Sequence, residues 1–138
     1  MPFTHTIPVR FGDCDVAKVV YYPRILHYCH VTMEELFGHA TGVPYDRIVL
    51  EEGVGYPTVK LAVEYTAPVR LGDTVEMTAV VERIGTRSVD FRWEGRRQAD
   101  GELAFLCRST SVAVTMDDFQ STDIPDAHRK ALKAHLVP

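Results

Sequence analysis

The spacing of apolar residues changes several times along the chain, and each change marks an element. Over residues 4–11 they alternate loosely (Ile7, Val9, Phe11), which predicts a short strand. Gly12-Asp13-Cys14-Asp15 follows as a turn-rich tetrapeptide. Over residues 24–38 the apolar positions are Ile25, Leu26, Cys29, Met33, Leu36 and Phe37, the spacing of a helix with a wide apolar face. Pro23 suits its first turn, where the missing N–H would have no partner anyway. Gly38 or Gly42 supplies its stop. Polar residues in this helix are few and mostly His or Glu, so it is expected to be largely buried.

Residues 45–55 read as a short turn or helix with a loop. Strands follow in succession. Residues 58–65 alternate through Val59, Leu61, Val63 and Tyr65. Residues 67–73 form a connection with turn chemistry at Gly72-Asp73. Residues 74–84 place Val75, Met77, Ala79 and Val81 on one face. After Gly85-Thr86, Val89, Phe91 and Trp93 share a face opposite Asp90, Arg92 and Glu94, so that strand has one wet side. Ala99-Asp100-Gly101 marks a hairpin turn and residues 103–115 a further long strand. Residues 125–136 form a polar terminal helix that begins near Asp123, the expected N-cap. One long helix with five strands is an α+β layer architecture. A single helix leaves sheet surface or an edge to protect, so an oligomer is expected.

Composition narrows the function. The chain has 138 residues, which fits one domain spanning 1–138. Its formal charge of −4, from 15 basic and 19 acidic residues, lacks the footprint of a dedicated nucleic-acid binder. No stretch approaches the roughly 20 apolar residues that cross a membrane. The start MPFTHTIPV has no basic-then-apolar leader pattern, and Cys14, Cys29 and Cys107 show no CxxC spacing. A cytoplasmic protein without a disulfide framework or zinc site is therefore expected.

The densest chemistry lies in Phe11-Gly12-Asp13-Cys14-Asp15 and the run up to Pro23. Two acids stand in a loop that feeds a helix N-terminus, whose unpaired N–H groups and dipole can hold a developing oxyanion. A carboxylate beside it can act as nucleophile or as general base for water. Asx-turns or caps are the plain structural alternative for both acids.

The run FGDCDVAKVVYYPRILHY, residues 11–28, resembles the active-site segment of hotdog-fold acyl-CoA thioesterases, above all the 4-hydroxybenzoyl-CoA thioesterase type. The Tol–Pal-associated acyl-CoA thioesterases carry a related version. Residues 59–73, VKLAVEYTAPVRLGD, resemble that family's Y-x-x-P-x-x-x-x-D strand ending. The resemblance implies a hotdog fold, an antiparallel five-stranded sheet wrapped around one long central helix. It implies hydrolysis of an acyl-CoA to acid and free CoA, without metal or redox cofactor. Asp15 matches the catalytic carboxylate and Asp13 the structural acid. Tyr22 stands where a backbone N–H polarises the thioester carbonyl. Active sites would lie between two subunits, with dimers pairing into homotetramers.

Three positions depart from the pattern. Lys18 replaces a Gly, which either reshapes the loop or puts a cation at the pocket mouth. His30 replaces an acid, and Tyr22 replaces the His of the Tol–Pal relatives. Tyr21, Tyr22 and His30 are expected to shape the acyl pocket. Arg87 with Ser88 resembles the family's basic turn and is expected to hold the CoA phosphates, with Arg83, Lys60 and Arg70 as further candidates. Glu51-Glu52 is a minor alternative source of a catalytic acid. His27, His30 and Glu34 share a helix face but are read as hydrogen-bonding or pocket residues, not metal ligands. Cys14 lacks an evident His partner for a thiol nucleophile. Two other activities stay open: acyl-CoA or acyl-carrier binding without turnover, and dehydration of a 3-hydroxyacyl thioester.

Overall fold

The computed structural model describes residues 2–137; positions 1 and 138 lie outside the described residues. Strand β1 (Phe3–Pro8) leads through a 3₁₀ turn (Phe11–Asp13) to helix α1 (Tyr22–Thr41). A short helix α2 (Tyr45–Arg47) runs into a π-turn (Ile48–Glu52) and a two-residue strand β2 (Val54–Gly55). Strands β3 (Thr58–Tyr65), β4 (Thr74–Ile84), β5 (Ser88–Arg97) and β6 (Leu103–Val112) follow, then β7 (Val114–Thr115) and helix α3 (Asp126–Lys133).

The main sheet is antiparallel and five-stranded, in the order β1-β4-β5-β6-β3. The sequence-derived α+β reading agrees with it. Helix α1 lies across one face through Ile25, Tyr28, Cys29, Met33, Leu36 and Phe37, all buried. Opposite them stand the inward residues of β4 and β5, including Val75, Met77, Val81, Phe91 and Trp93. Phe91 and Trp93 stack at 4.8 Å, and the indole N–H donates to Ser109 Oγ at 2.8 Å. Gly95 is required by close packing, because a Cβ there would lie 2.0 Å from the Phe105 ring.

Several boundaries move from the expected ones. The first strand stops at Pro8, and Phe11 enters the 3₁₀ turn, where it is 81% exposed. Helix α1 runs past Gly38 and stops at Gly42, whose φ of 75° closes the last turn. Only one face of α1 is covered, with His27 and His30 in solvent, so it is less buried than its composition suggests. The last long strand breaks at Ala113, whose N–H turns to Arg87 O, and β7 pairs with β2 as a separate ribbon. Asp123 does not cap α3; Pro125 holds that position, and Asp123 pairs with Arg87 instead.

Candidate active site

The segment between β1 and α1 forms a tight hairpin, pinned on both sides. The Asp15 N–H donates to Val19 O (3.0 Å) and the Lys18 N–H to Asp15 O (2.9 Å). Lys18 has φ +62°, so the turn is a type I turn followed by a left-handed residue. Lysine thus adopts the left-handed conformation that a glycine takes readily. The hairpin is held to the β3–β4 connection by Val20 N–H to Val69 O (2.8 Å) and Leu71 N–H to Lys18 O (3.1 Å). That connection is itself fixed by Asp73, whose carboxylate accepts the Arg70 N–H at 2.8 Å.

The two acids divide their work. Asp13 Oδ2 accepts the Arg10 N–H (2.9 Å) and the hydroxyl of buried Tyr28 (2.8 Å), while Asp13 O accepts the Tyr21 N–H (2.8 Å). Burial, then the Asp13 hydrogen bond, pushes the Tyr28 hydroxyl well above the usual tyrosine range, so it stays a donor. Asp13 therefore ties the hairpin to α1. Asp15 is exposed, and its Oδ1 accepts the Ala17 N–H at 2.9 Å. Its Oδ2 has no partner among the described residues. One oxygen orients the carboxylate and the other is free to act.

Tyr21 is the N-cap of α1 and Tyr22 its first residue, with Pro23 next. No side chain caps this end. Among the described residues the Tyr22 N–H has no acceptor, which leaves it available to a carbonyl oxygen. The Tyr22 carbonyl accepts the Tyr65 hydroxyl at 3.2 Å, and the two rings meet edge to face at 6.3 Å. A cleft of ≈ 410 Å³ opens here, lined by Val19, Tyr22, Ile25, Tyr65, Val69 and Phe105 among others. None of its lining side chains is charged.

The remaining candidates lie elsewhere in this chain. His30 borders a second cavity of ≈ 210 Å³ with Cys29, Trp93 and Leu61, and its Nε2 pairs with Glu34 at 2.8 Å. Arg87 and Ser88 do not line this cleft; Asp15 does not line it either, and is tied to it through its N–H bond to the Val19 carbonyl. Arg87 is paired with Asp123 (2.9 Å) and Ser121 (3.1 Å), and Ser88 Oγ accepts from Arg83 (3.2 Å). Glu51 pairs with Arg47, and Glu52 with His128 at 2.9 Å. Cys14 gives its thiol to Arg10 O, and desolvation with the nearby Asp13 and Asp15 charges pushes that thiol up, away from thiolate. Sequence reading missed Tyr28, Tyr65 and Asp73 as supports. The Y-x-x-P-x-x-x-x-D ending carried two of them.

A family model described as the thioesterase-like superfamily matches residues 9–132. A 1,4-dihydroxy-2-naphthoyl-CoA hydrolase of Nostoc punctiforme is 30% identical over 94 residues, covering 68% of this chain and 63% of that protein. The match thus spans less than two thirds of that relative. A thioesterase superfamily structure from Jannaschia sp. CCS1 superposes with a TM-score of 0.91 at 28% identity, covering 99% of this chain and 94% of that one. A 4-hydroxybenzoyl-CoA thioesterase in complex with 4-hydroxybenzoyl-CoA shares the fold at a TM-score of 0.86 and 19% identity, covering 95% and 98%. The hotdog architecture expected from the resemblance is the one these structures share. With the family model spanning nearly the whole chain and the sheet wrapped on α1, this protein belongs to the thioesterase-like superfamily.

Proposed function

We propose that this chain is an acyl-CoA thioester hydrolase, a single domain over residues 1–138, with Asp15 as its catalytic carboxylate. The observation that carries this reading is that the hairpin and the helix it feeds each leave a polar group without a partner among the described residues: an Asp15 oxygen, and the Tyr22 N–H at the start of a 20-residue helix. The thioester carbonyl oxygen would take the Tyr22 N–H, and the helix dipole favours the negative charge that builds there. Asp15 either removes a proton from the attacking water or attacks the carbonyl carbon itself, giving an anhydride that water then opens. In both routes the C–S bond breaks as the tetrahedral oxyanion collapses, and CoA leaves as thiolate to take up a proton. Tyr21 and Tyr22 would bound the acyl group. The relatives' names bring aryl-CoA esters forward as substrates.

The open side of the site calls for a second copy. The outer edge of β3 has no neighbour in the sheet, and Val59, Leu61 and Tyr65 on it are 62%, 45% and 49% exposed. A two-fold axis through this edge would pair β3 with its own copy in antiparallel fashion, satisfying the edge and covering these side chains. His30, Arg87 and Ser88 would reach substrate only across such an assembly, a dimer or a tetramer of dimers. The three free thiols suit a reducing cytoplasm.

The test is free-thiol release from a panel of aromatic and aliphatic acyl-CoAs by wild type and Asp15→Asn. Wild type turns over at least one member and the variant loses about a hundredfold or more. Equal rates would remove Asp15 from catalysis; no turnover by wild type would remove the hydrolase reading. Sedimentation of the same preparation reads the assembly, and a monomer at assay concentration would sink the β3 pairing.

A further inference from the structure

Two local rules are broken beside Asp15, and both times the residue is a cation. Lys18 sits at φ +62°, where an L-residue costs about 1 kcal/mol and lysine, unlike Asn or Asp, has no short polar group to offset it. Arg24 sits in the first turn of α1, which contains no acid, so a positive charge faces the positive end of the helix dipole. A third cation, Arg70, stands next to them: it forms a bridge with Val19, and Leu71 N–H binds Lys18 O. All three are exposed, and none has a carboxylate within ion-pair distance among the described residues. Elsewhere Arg47, Arg83, Arg87, Arg92, Arg96, Arg97 and Arg108 are ion-paired, while Arg10, Lys60, Arg129, Lys130 and Lys133 have no ion pair among the described residues.

The acids nearby keep their charge, but none is ion-paired to these three cations. Asp13 is taken up by the Tyr28 hydroxyl and the Arg10 N–H, and Asp73 by the Arg70 N–H. Asp15 is the reacting group. Arg24 is near enough to the hairpin that its charge bears on the Tyr28 hydroxyl. Lys18, Arg24 and Arg70 each flank a residue that lines the cleft, Val19, Ile25 and Val69, so three cations without a carboxylate partner stand beside an uncharged lining. A cation left without a protein carboxylate is open to an anion of the substrate.

Building on the hydrolase reading, we propose that Lys18, Arg24 and Arg70 select acyl-CoA substrates whose acyl group carries its own anion, a carboxylate or an equivalent oxyanion. The CoA phosphates are the other anions of the substrate, but the long pantetheine arm holds them away from the thioester. Lys18 lies within one turn of Asp15, which acts at the thioester carbon, so its ammonium serves the acyl side. Arg24 and Arg70 stand beside the other lining residues, Ile25 and Val69.

The test uses matched pairs: glutaryl-CoA against valeryl-CoA, and 4-carboxybenzoyl-CoA against 4-methylbenzoyl-CoA. In at least one pair the wild type favours the anionic member in kcat/KM by tenfold or more. Lys18→Gln lowers that ratio at least fivefold, Arg24→Gln and Arg70→Gln lower it less, Lys18→Arg restores most of it, and added salt compresses it. A wild-type ratio near one in both pairs, or a ratio that Lys18→Gln leaves alone, overturns the proposal. So does an equal loss on every acyl-CoA that disappears with N-acetylcysteamine thioesters, because the cations would then hold CoA phosphate. Calorimetric titration of Asp15→Asn with each pair reads the same preference as affinity, without turnover. Should no acyl-CoA be hydrolysed, the hydrolase reading fails, and the calorimetric ratio alone decides the rim.

Discussion

The two ends of α1 treat the same backbone problem in opposite ways. At the C-terminal end Gly42 takes φ +75° and returns its N–H to Gly38 O at 3.0 Å. The Thr41 hydroxyl donates to Phe37 O, and His39 places a basic group in the last turn. Around it, His128 is 1% exposed and ties α3 to Glu52 and Tyr56. Its Nε2 lies 2.9 Å from Glu52, a pure acceptor, so Nε2 carries a proton; in the neutral ring Nδ1 then accepts from the Tyr56 hydroxyl at 2.8 Å. At the N-terminal end there is no side-chain cap, no acid in the first turn, a free N–H and a strained lysine. One end spends every polar group on the fold. The other leaves them open, which is where binding and chemistry belong.

If that division is real, substitutions at the two ends will separate activity from stability. The largest effect is expected from Asp15→Asn, with kcat down about a hundredfold or more. Its side chain makes one hydrogen bond in an exposed turn, so denaturant unfolding should shift by less than about 0.5 kcal/mol. A large stability loss together with the activity loss would mean that Asp15 is a turn residue, like Asp13.

His128→Ala is the mirror experiment. It leaves the Tyr56 hydroxyl without its acceptor beside a buried cavity and frees α3 from the exposed Glu52 of the π-turn, at about 2–4 kcal/mol in urea unfolding. Thiol release by the folded variant should stay within about twofold of wild type. A drop in kcat as large as that of Asp15→Asn would place this end in the mechanism as well.

Alkaline unfolding probes both ends at once. Tyr28, near Asp15, and Tyr56, near His128, are both held protonated above the ordinary tyrosine range, chiefly by burial. A raised folded pKa means that the unfolded chain loses its proton first. The stabilisation is therefore whole below about pH 10 and is lost as pH rises further, by roughly 1.4 kcal/mol per pH unit for each tyrosine. Tyr28→Phe and Tyr56→Phe should each flatten that slope. A slope unchanged in either variant would show that the hydroxyl is already open to solvent.

Much of this was legible before any coordinates. Alternation located β4 and β5, and the 3.6-residue spacing located α1, because their buried faces keep regular periods; β3 alternates in residue type without a buried face. The motif around Asp15 located the N-terminal end. What stayed hidden were relations between distant residues. Nothing local says that Tyr28 reaches Asp13, that Tyr65 reaches the Tyr22 carbonyl, or that His128 reaches Glu52 across 76 positions. Arg87 shows the same limit: its charge was visible, and its partner Asp123, 36 residues on, was not. β3 reads as an ordinary half-buried strand, yet both its faces are largely exposed, which is what the proposed pairing of two β3 edges would account for.

The smallest expected effect is the sharpest contrast between the ends. Lys18 and Gly42 share nearly the same left-handed backbone, at φ +62° and +75°, with opposite residue choices. Lys18→Gly removes about 1 kcal/mol of steric strain and gives back part of it as unfolded-chain entropy, so a gain of roughly 0.5 kcal/mol is expected. Gly42→Ala runs the exchange backward. No atom crowds the new Cβ, so the cost is conformational alone, about 1 kcal/mol. Opposite signs at two equivalent positions would show that lysine is kept at 18 against the preference of the backbone. If Lys18→Gly destabilises instead, lysine contributes to the fold in a way its exposed, unpaired ammonium does not reveal, and the strain no longer argues for a role in substrate selection.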